Sequence, residues 1–242
     1  MVLTAEAVNA TLTVIQPSNA DTHIYEGDPN NNFGASDGFV VGAVSGGRFR
    51  GLVKFDLSSI PSGSTVNVAY LLLYYYYRGE NNPAGRTYNA YRVTKDWVET
   101  QATWNVYSTG NSWTTPGGDY TTDGGSSSTV PANTEQWMIW DVTSIVKAWI
   151  EGGQPNYGFI IRDQSEGVVF SADFRSKEVS DPDLRPILKV DWSTPTPTPT
   201  PRPVGGVLVP VKKLELLTPY LALVGLVGVV TAIILVRRKR ED

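Results

Sequence analysis

Short runs of strand-forming residues alternate with turn residues along the first 192 positions of the chain. Runs of β-branched and aromatic residues bounded by Gly, Pro, Asn and Asp are typical of strands. The pattern predicts ten strands, at residues 11–16, 23–26, 39–42, 50–56, 66–77, 87–95, 136–141, 157–163, 167–172 and 187–192. Ten short strands favour an all-β fold, and we expect a jelly-roll β-sandwich.

One stretch has helical periodicity instead. Apolar side chains recur at the spacing of one helix face, at Val142, Ile145, Val146, Trp149 and Ile150. Asp141 or Thr143 can cap the start of this helix, and Gly152 and Gly153 can end it. We expect one short helix that closes an end of the sandwich.

Two other stretches have less regular patterns. In Gly51 to Asp56, Leu52, Val53 and Phe55 break strict alternation, which predicts a central strand with both faces partly covered. Residues 116–133 are rich in Gly and Ser and predict a long loop. Loops of that length inside compact domains are usually functional or disordered.

The C-terminal part of the chain has a different pattern. Residues 216–236 form an uncharged, mostly apolar run of 21 residues, and Arg237-Arg-Lys-Arg240 follows it. A bilayer core needs about 20 apolar residues to be crossed by a helix, and basic clusters mark the cytoplasmic side. We therefore predict a single-pass cell-membrane protein with an extracellular N-terminal domain and a cytoplasmic tail at 237–242. The alternatives are a buried core helix and a tail-anchored protein whose large domain lies in the cytoplasm.

A Thr/Pro-rich segment separates this run from the strands. Alternating Thr and Pro in 193–203 favour polyproline II, so we expect 193–215 to form a disordered or semi-rigid stalk. Residues 1–10 precede the predicted module at 11–192 and are too short for a signal peptide. Ala5-Glu-Ala7 has the small-x-small form of a cleavage site, so we expect that a signal sequence is missing.

Composition and charge exclude several function classes. The chain has no cysteine, which excludes a disulfide framework and a thiolate metal site. Residues 1–201 hold 13 basic and 21 acidic side chains, a net charge of −8, whereas nucleic-acid binding needs a basic face. The only histidine is His23, so a histidine metal cluster cannot form. Asp96 and Glu99 are the only close carboxylate pair on an aromatic-rich segment, and we expect no enzyme.

Seven sequence elements across residues 20–192 occur in a characteristic order and spacing. They begin with Gly51-Leu-Val-Lys-Phe-Asp-Leu-Ser-Ser-Ile-Pro-Ser-Gly63 and the strand at 66–74, and continue through Trp97-Val-Glu-Thr-Gln-Ala-Thr-Trp104, Pro116-Gly-Gly-Asp-Tyr120, Trp140-Asp-Val-Thr143 with Trp149, Asn156-Tyr-Gly158, Phe174-Arg-Ser-Lys-Glu178 and Leu184-Arg-Pro186. This arrangement resembles the DNRLRE-domain family, which is also classed as carbohydrate-binding module family ninety-six.

The resemblance implies a β-jelly-roll module of secreted and surface proteins, without catalysis. Binding of acidic polysaccharides such as alginate is attributed to some members of the family. This chain departs from the family pattern because a stalk and a predicted span accompany the module. The net charge of −8 also opposes a polyanionic ligand unless Arg and Lys gather locally.

The tyrosine run at 74–77 supplies the first candidate site. Successive strand residues point to opposite faces, so one tyrosine pair should be buried and the other accessible. An accessible surface able to stack and hydrogen-bond a glycan could be formed by Tyr75, Tyr77, Arg78, Tyr88 and Arg92. The alternative is that these aromatics only stabilise the sheet.

The predicted loop supplies the second candidate site, formed by Trp113, Asp119 and Tyr120. Exposed aromatics on glycine-rich loops are typical of recognition surfaces, although such loops also use aromatics as anchors. Trp97 and Trp104 could be a stacking platform, or a buried corner in which Glu99 accepts backbone hydrogen bonds.

The acidic residues supply two candidate calcium sites. Asp119 with Asp123 could bind calcium, and so could a cage of acidic side chains beside the asparagines at 30–32, formed by Asp21, Glu26, Asp28 and Asp37. Neither set has the spacing of a calcium loop, and ordinary turn chemistry explains both. We expect no other cofactor.

Together these observations predict a membrane-anchored, non-catalytic module that binds an extracellular or cell-wall polysaccharide. The alternative is a structural envelope or filament protein that associates with copies of itself.

Overall fold

The computed structural model describes residues 10–194, which form 13 strands, one α-helix and a single 3₁₀ turn at Pro182–Leu184. The strands are β1 (Ala10–Ile15), β2 (Ala20–Tyr25), β3 (Gly38–Val44), β4 (Gly47–Lys54), β5 (Thr65–Arg78), β6 (Thr87–Val93), β7 (Val106–Ser108), β8 (Asn111–Ser112), β9 (Tyr120–Thr129), β10 (Gln136–Asp141), β11 (Phe159–Asp163), β12 (Phe170–Arg175) and β13 (Ile187–Ser193). The helix α1 spans Thr143–Ile150, between β10 and β11. All ten predicted strands are present, with ends that differ by a few residues.

Eleven strands join into one curled antiparallel sheet in the order β1-β13-β5-β12-β3-β4-β11-β6-β9. The strand β2 pairs with β4, and β10 pairs with β5. The 14-residue β5 is long enough to pair with β13 near its start and with β12 near its end. This confirms the predicted all-β class with one short helix and is consistent with a β-sandwich.

The main core lies inside the curl of the sheet. Alternate side chains of β5 point into it, so Leu71, Leu73 and Tyr75 are fully buried. Buried Ile145, Val146 and Trp149 line one side of α1. The helix begins near the predicted position, but its N-cap is Val142, which makes no side-chain cap hydrogen bond, so the predicted cap at Asp141 or Thr143 is wrong. The Asp141 carboxylate, one residue before the cap, accepts the Thr143 N–H at 3.0 Å. The apolar face of α1 covers part of the core.

A second, smaller core lies on the other face of β4 and β11. Leu52 and Ile160 are fully buried there beneath the segment that follows β6, which contributes Trp97, Trp104 and Trp113. This segment includes the small β7–β8 hairpin. The second core explains the imperfect alternation in β4 and confirms the prediction of a central strand covered on both faces.

The predicted loop at 116–133 is wrong over most of its length. Residues Tyr120–Thr129 form β9, which pairs with β6 at the end of the sheet order. Gly and Ser are weak strand formers, so the local composition indicates a loop. The backbone of β6 supplies hydrogen-bond partners that do not depend on the side chains of β9, and this pairing overrides the local preference.

Residues 10–194 contain no helix that is both long and apolar enough to cross a membrane. The N-terminal segment up to residue 9, nearly all of the predicted stalk, the predicted span at 216–236 and the tail at 237–242 lie outside the described residues. The predicted domain boundaries, the span and the membrane location therefore stay predictions.

Candidate functional site

The first predicted sugar surface does not form, because two of its tyrosines belong to the main core. Tyr75 and Tyr88 are fully buried, and both rings pack around Phe174, at centroid distances of 6.0 and 6.4 Å. The Tyr88 hydroxyl donates to the Val41 carbonyl at 3.0 Å. The predicted pairing of buried and accessible tyrosines is wrong, because Tyr75 is fully buried whereas Tyr77, two residues further along β5, is 59% exposed. The register of β5 against β12 shifts between these two residues, where the strand leaves the core.

Trp113 is also buried and cannot serve as an exposed indole. Its Nε1–H donates to the Thr103 carbonyl at 2.9 Å, and its ring packs against Tyr107. Trp97 and Trp104 lie in the same second core, and the Glu99 carboxylate accepts the backbone N–H of Asp21 at 2.8 Å. The buried-corner alternative for these indoles is therefore the one that the structure supports.

The other predicted residues are accessible but do not gather at one place. Tyr77 and Arg78 are exposed at the end of β5, and the Arg78 guanidinium donates to the Ala132 carbonyl at 2.9 Å. Arg92 is half-buried on β6. The half-buried Asp119 accepts the N–H groups of Thr114 and Thr115 at 2.8 and 3.2 Å, which is ordinary turn chemistry.

Tyr120 lies in a cluster that the sequence analysis missed, and we call this cluster the arginine groove. Its members are three arginines, two glutamates and one tyrosine: Arg48, Arg50, Arg162, Glu26, Glu166 and Tyr120. Arg48 and Arg50 lie two residues apart on β4 and so share a face. Pairing of Ile161 with Gly51 brings Arg162 beside Arg50, and pairing of Tyr25 with Phe49 brings Glu26 beside Arg48.

Burial divides the ion pairs of the groove into two kinds. The Glu166 side chain is 5% exposed and accepts two hydrogen bonds from Arg50 and one from Arg162, at 2.7 to 2.8 Å. The Arg48 side chain is 38% exposed and pairs with Glu26, whose pKa is lowered mainly by the hydrogen bond from Arg48. The Glu166 pairs therefore belong to the interior, and Arg48 is the accessible cation.

Aromatic rings hold the arginines in place. The Arg50 guanidinium lies 5.1 Å from the centre of the Trp104 ring and 5.9 Å from that of Tyr120. Arg162 lies 5.7 Å from the Tyr120 ring and donates to its hydroxyl, and Tyr91 stacks on Tyr120 at 5.4 Å. Cations over aromatic faces are stabilised by the ring quadrupole. The guanidinium positions are thus set by packing before any ligand arrives.

An open cavity of about 590 Å³ adjoins the groove. Arg48, Arg162, Glu26 and Glu166 line it together with the backbone around Val44 and the β11–β12 connection near Val168. The charged residues of the lining balance, and the excess of one positive charge in the groove comes from the buried Arg50 beneath it, in a chain whose residues 1–201 carry −8. Cationic side chains therefore gather locally despite the acidic composition.

The sequence carried a partial signal for this groove. Gly47-Arg-Phe-Arg-Gly51 places two arginines at the period of a strand face. The contribution of Arg162 and Glu166 could not be found in that way, because they are more than 100 positions away and meet β4 only through the register of β11.

The residues considered for catalysis are engaged elsewhere. His23 is buried between Phe33 and Phe49, and burial lowers its pKa to about 4, so it is neutral at pH 7. Asp96 pairs with Lys54 at 3.2 Å, whereas Glu99 pairs with Lys177 at 3.0 Å. The two carboxylates thus belong to separate ion pairs.

The acidic residues of the predicted calcium cage at residues 21–37 are divided among separate contacts. Glu26 pairs with Arg48, and Asp37 pairs with Arg175 at 3.2 Å. Among residues 10–194, the acidic group that does converge joins Asp21 to Glu99 and Glu178.

A second accessible surface covers the outer side of β1, β13, β5 and β10, and we call it the apolar sheet face. Its members are mostly aliphatic or aromatic side chains that point away from the main core: Leu12, Val14, Tyr70, Leu72, Tyr74, Trp137 and Ile139. Leu12 and Ile139 are 62% and 51% exposed. Large apolar patches on a surface often mark interaction sites.

Comparison with known families accounts for this combination of fold and motifs. A search of curated proteins gave no match. The family described as carbohydrate-binding module family 96 matches residues 13–190, which is most of the chain and nearly all of its described part. The chain therefore belongs to carbohydrate-binding module family 96, as its motifs predicted.

Proposed function

We propose that this protein binds a carboxylate-bearing polysaccharide in the arginine groove and does so without catalysis. Family membership supports a glycan partner. Three arginines lie together beside an open cavity, and this observation is the main support for the arginine groove as the binding surface and for an acidic glycan as the ligand.

Charge supports an acidic chain at this place. A net charge of −8 on residues 1–201 repels a polyanion at long range, but such repulsion is screened within about 10 Å at moderate ionic strength. At contact distance the groove presents Arg48, whose Nε and one terminal nitrogen donate to Glu26 and whose other terminal nitrogen lies 3.9 Å from Glu166. The edge formed by the two terminal nitrogens is left for a ligand. A planar guanidinium matches a carboxylate with two parallel hydrogen bonds, so Arg48 is suited to a uronate unit.

The other groove residues support binding of the sugar ring. The accessible Glu26 accepts hydrogen bonds, and Arg162 donates them, which matches the mixed requirements of sugar hydroxyl groups. The exposed Val168 adds apolar surface at the cavity. Because Arg50 and Arg162 are held by Glu166 and aromatic rings, little ordering is required on binding.

Exchange of Arg48 for methionine tests the groove. Arg48→Met in the full-length protein should weaken alginate binding about 10- to 100-fold, since a hydrogen bond to a charged group contributes about 1.5 to 3 kcal/mol. Isothermal titration calorimetry with alginate, and with a neutral β-glucan for comparison, provides the measurement. The matched control is Arg78→Met, which removes the same charge from an exposed side chain at the end of β5.

Equal loss of affinity in both variants would mean that only net charge matters. Loss of alginate affinity in Arg78→Met alone would place the binding site at the end of β5. Binding of the neutral glucan as tightly as alginate would refute the proposed ligand class. New reducing ends in the same incubation would contradict a non-catalytic role.

Self-association is the second candidate function, and the apolar sheet face favours it. Leu12, Val14, Tyr70 and Ile139 present apolar atoms on one side of a sheet. Under this alternative, sedimentation velocity of the full-length protein shows concentration-dependent assembly, which Ile139→Lys abolishes, and no glycan is retained. A monomer that binds alginate contradicts it.

We further propose that the module is displayed outside the cell on a Thr/Pro stalk and a membrane span at 216–236. The uncharged run and the basic residues that follow it support this proposal. The full-length protein should stay in the membrane pellet after alkaline carbonate washing. Leu226→Arg with Val230→Arg should release it, because a charge at a helix centre costs about 2.5 to 3.5 kcal/mol on insertion scales, whereas Thr198→Arg in the stalk should not. Release of the unaltered protein would refute the anchor.

A further inference from the structure

Three carboxylates converge at the opposite end of β2 from Glu26. Asp21 comes from β2, Glu99 from the segment after β6, and Glu178 from the segment after β12. Each offers one oxygen to a group whose members all lie within 4.8 Å of one another. Two oxygens bound to the same calcium ion are at most about 5 Å apart, since each Ca–O distance is about 2.3 to 2.6 Å.

Protein donors satisfy only part of this cluster. Asp21 Oδ2 accepts hydrogen bonds from the Ser18 hydroxyl and from the Lys177 N–H, the latter at 3.0 Å. The Lys177 ammonium contacts Glu99 Oε2 at 3.0 Å and Glu178 Oε1 at 2.7 Å. The second oxygens, Asp21 Oδ1 and Glu178 Oε2, are buried and have no hydrogen-bond partner among residues 10–194. Buried acceptors are normally paired, so these two oxygens call for a ligand.

The charge of the cluster points to the kind of ligand. Three ionised carboxylates and one ammonium leave a net charge of −2, which one divalent cation would neutralise. Asp21 is almost completely buried, whereas Lys177, Glu99 and Glu178 are partly accessible. An ion can therefore reach the cluster from the side of Lys177 without opening the core.

We propose that Asp21, Glu99 and Glu178 form a calcium site that fastens the segments after β6 and β12 to β2. Calcium accepts six to eight oxygen ligands in flexible geometry, and three carboxylates supplemented by water suit it. Asp21 Oδ1 and Glu178 Oε2, which lack another partner among residues 10–194, are available to the ion, and the Lys177 ammonium competes with it for Glu99 and Glu178. This site is separate from the arginine groove and does not depend on which glycan binds.

The electrostatics of Asp21 agree with this geometry. Burial, with further contributions from Glu178 and Glu99, raises the pKa of Asp21 to about 7. Proton uptake by Asp21 is the competing way to remove charge from the cluster. A cation would instead hold Asp21 ionised at neutral pH.

Calcium titration of the full-length protein, stripped with EDTA, tests the site. We expect one calcium per chain by isothermal titration calorimetry, with a Kd on the order of 0.1 to 1 mM or tighter. At a hundredfold excess over Kd the unfolding temperature should rise by roughly 5 to 10 °C. Glu178→Gln should weaken binding at least about tenfold, because calcium affinity follows the charge of the ligands.

Asp123→Asn is the matched control, since it removes one exposed carboxylate elsewhere and should leave calcium binding unchanged. Lys177→Met keeps the proposal testable if Glu178→Gln fails to fold, because loss of the competing ammonium should tighten binding severalfold. No heat of calcium binding to the unaltered protein would overturn the proposal. Calcium binding weakened by Asp123→Asn as much as by Glu178→Gln would also overturn it, and so would weaker calcium binding in Lys177→Met. Proton uptake by Asp21 would then be the way in which the cluster loses charge.

Discussion

Trp97→Ala should lower the free energy of unfolding by about 3 to 5 kcal/mol, the usual cost of deleting a buried tryptophan side chain. The indole is 1% exposed and packs in the second core. Its Nε1–H donates to the Tyr157 carbonyl at 2.8 Å, and the Lys54 ammonium lies 5.3 Å from its ring centre. Alanine would leave a cavity beneath the segment that follows β6 and an unpaired carbonyl.

Urea unfolding followed by fluorescence and circular dichroism measures this effect. Val98→Ala, at the 40% exposed neighbouring position, is the control and should change stability by no more than about 0.5 kcal/mol. Unaltered stability together with lost glycan retention in Trp97→Ala would instead identify the indole as a sugar-stacking platform.

Glu166→Gln should lower the free energy of unfolding by about 3 to 5 kcal/mol, because breaking a buried ion pair leaves an uncompensated charge in the interior. Glu166 is the shared partner of Arg50, whose side chain is 9% exposed, and of Arg162. Glutamine keeps the shape and one acceptor oxygen but removes the negative charge. Both guanidinium groups would then lie unneutralised beside the rings of Trp104 and Tyr120.

Glu26→Gln provides a matched comparison for this variant. The Glu26 side chain is 37% exposed, and solvent-exposed ion pairs contribute about 0 to 1 kcal/mol. Glu26→Gln should therefore lower the free energy of unfolding only slightly. The unfolding temperatures of both variants should be measured at the same pH and salt concentration. A similar drop in unfolding temperature in Glu166→Gln and Glu26→Gln would show that water reaches the Glu166 ion pairs.

Comparison of Glu166→Gln with Arg48→Met also separates effects on stability from effects on glycan recognition. The proposed ligand contact is Arg48 at the exposed side of the groove, whereas Glu166 supports the groove from below. A destabilised Glu166→Gln protein should lose alginate affinity because the arginines are displaced, whereas Arg48→Met should lose affinity at nearly normal stability.

Local patterns predicted the elements that have a strong local signal. The spacing of Val142, Ile145, Val146 and Trp149 predicted α1, and the apolar content of Gly51 to Asp56 predicted a central strand. Helix periodicity and strand burial are encoded within one short window, so they can be recognised without the fold. The strand β9 could not, because its stability comes from pairing with β6 and not from its own Gly and Ser residues.

The candidate site was harder to predict, for a similar reason. Alternation in the tyrosine run grouped Tyr75 with Tyr77, but only Tyr75 is buried, because Phe174 and Tyr88 from other strands pack around it and the core ends before Tyr77. Trp113 lies in a segment whose composition resembles a recognition loop, yet it packs into the second core.

By itself, the sequence determined the all-β class, the short helix and, through its motifs, membership of carbohydrate-binding module family 96. Only the tertiary structure decided which aromatics are buried, that Arg48, Arg50 and Arg162 share one groove with Glu166, and that Asp21 meets Glu99 and Glu178. The reason is that strand and helix periods are local properties of the chain. Contacts between residues a hundred positions apart follow instead from strand register and sheet curvature, which short-range patterns do not specify.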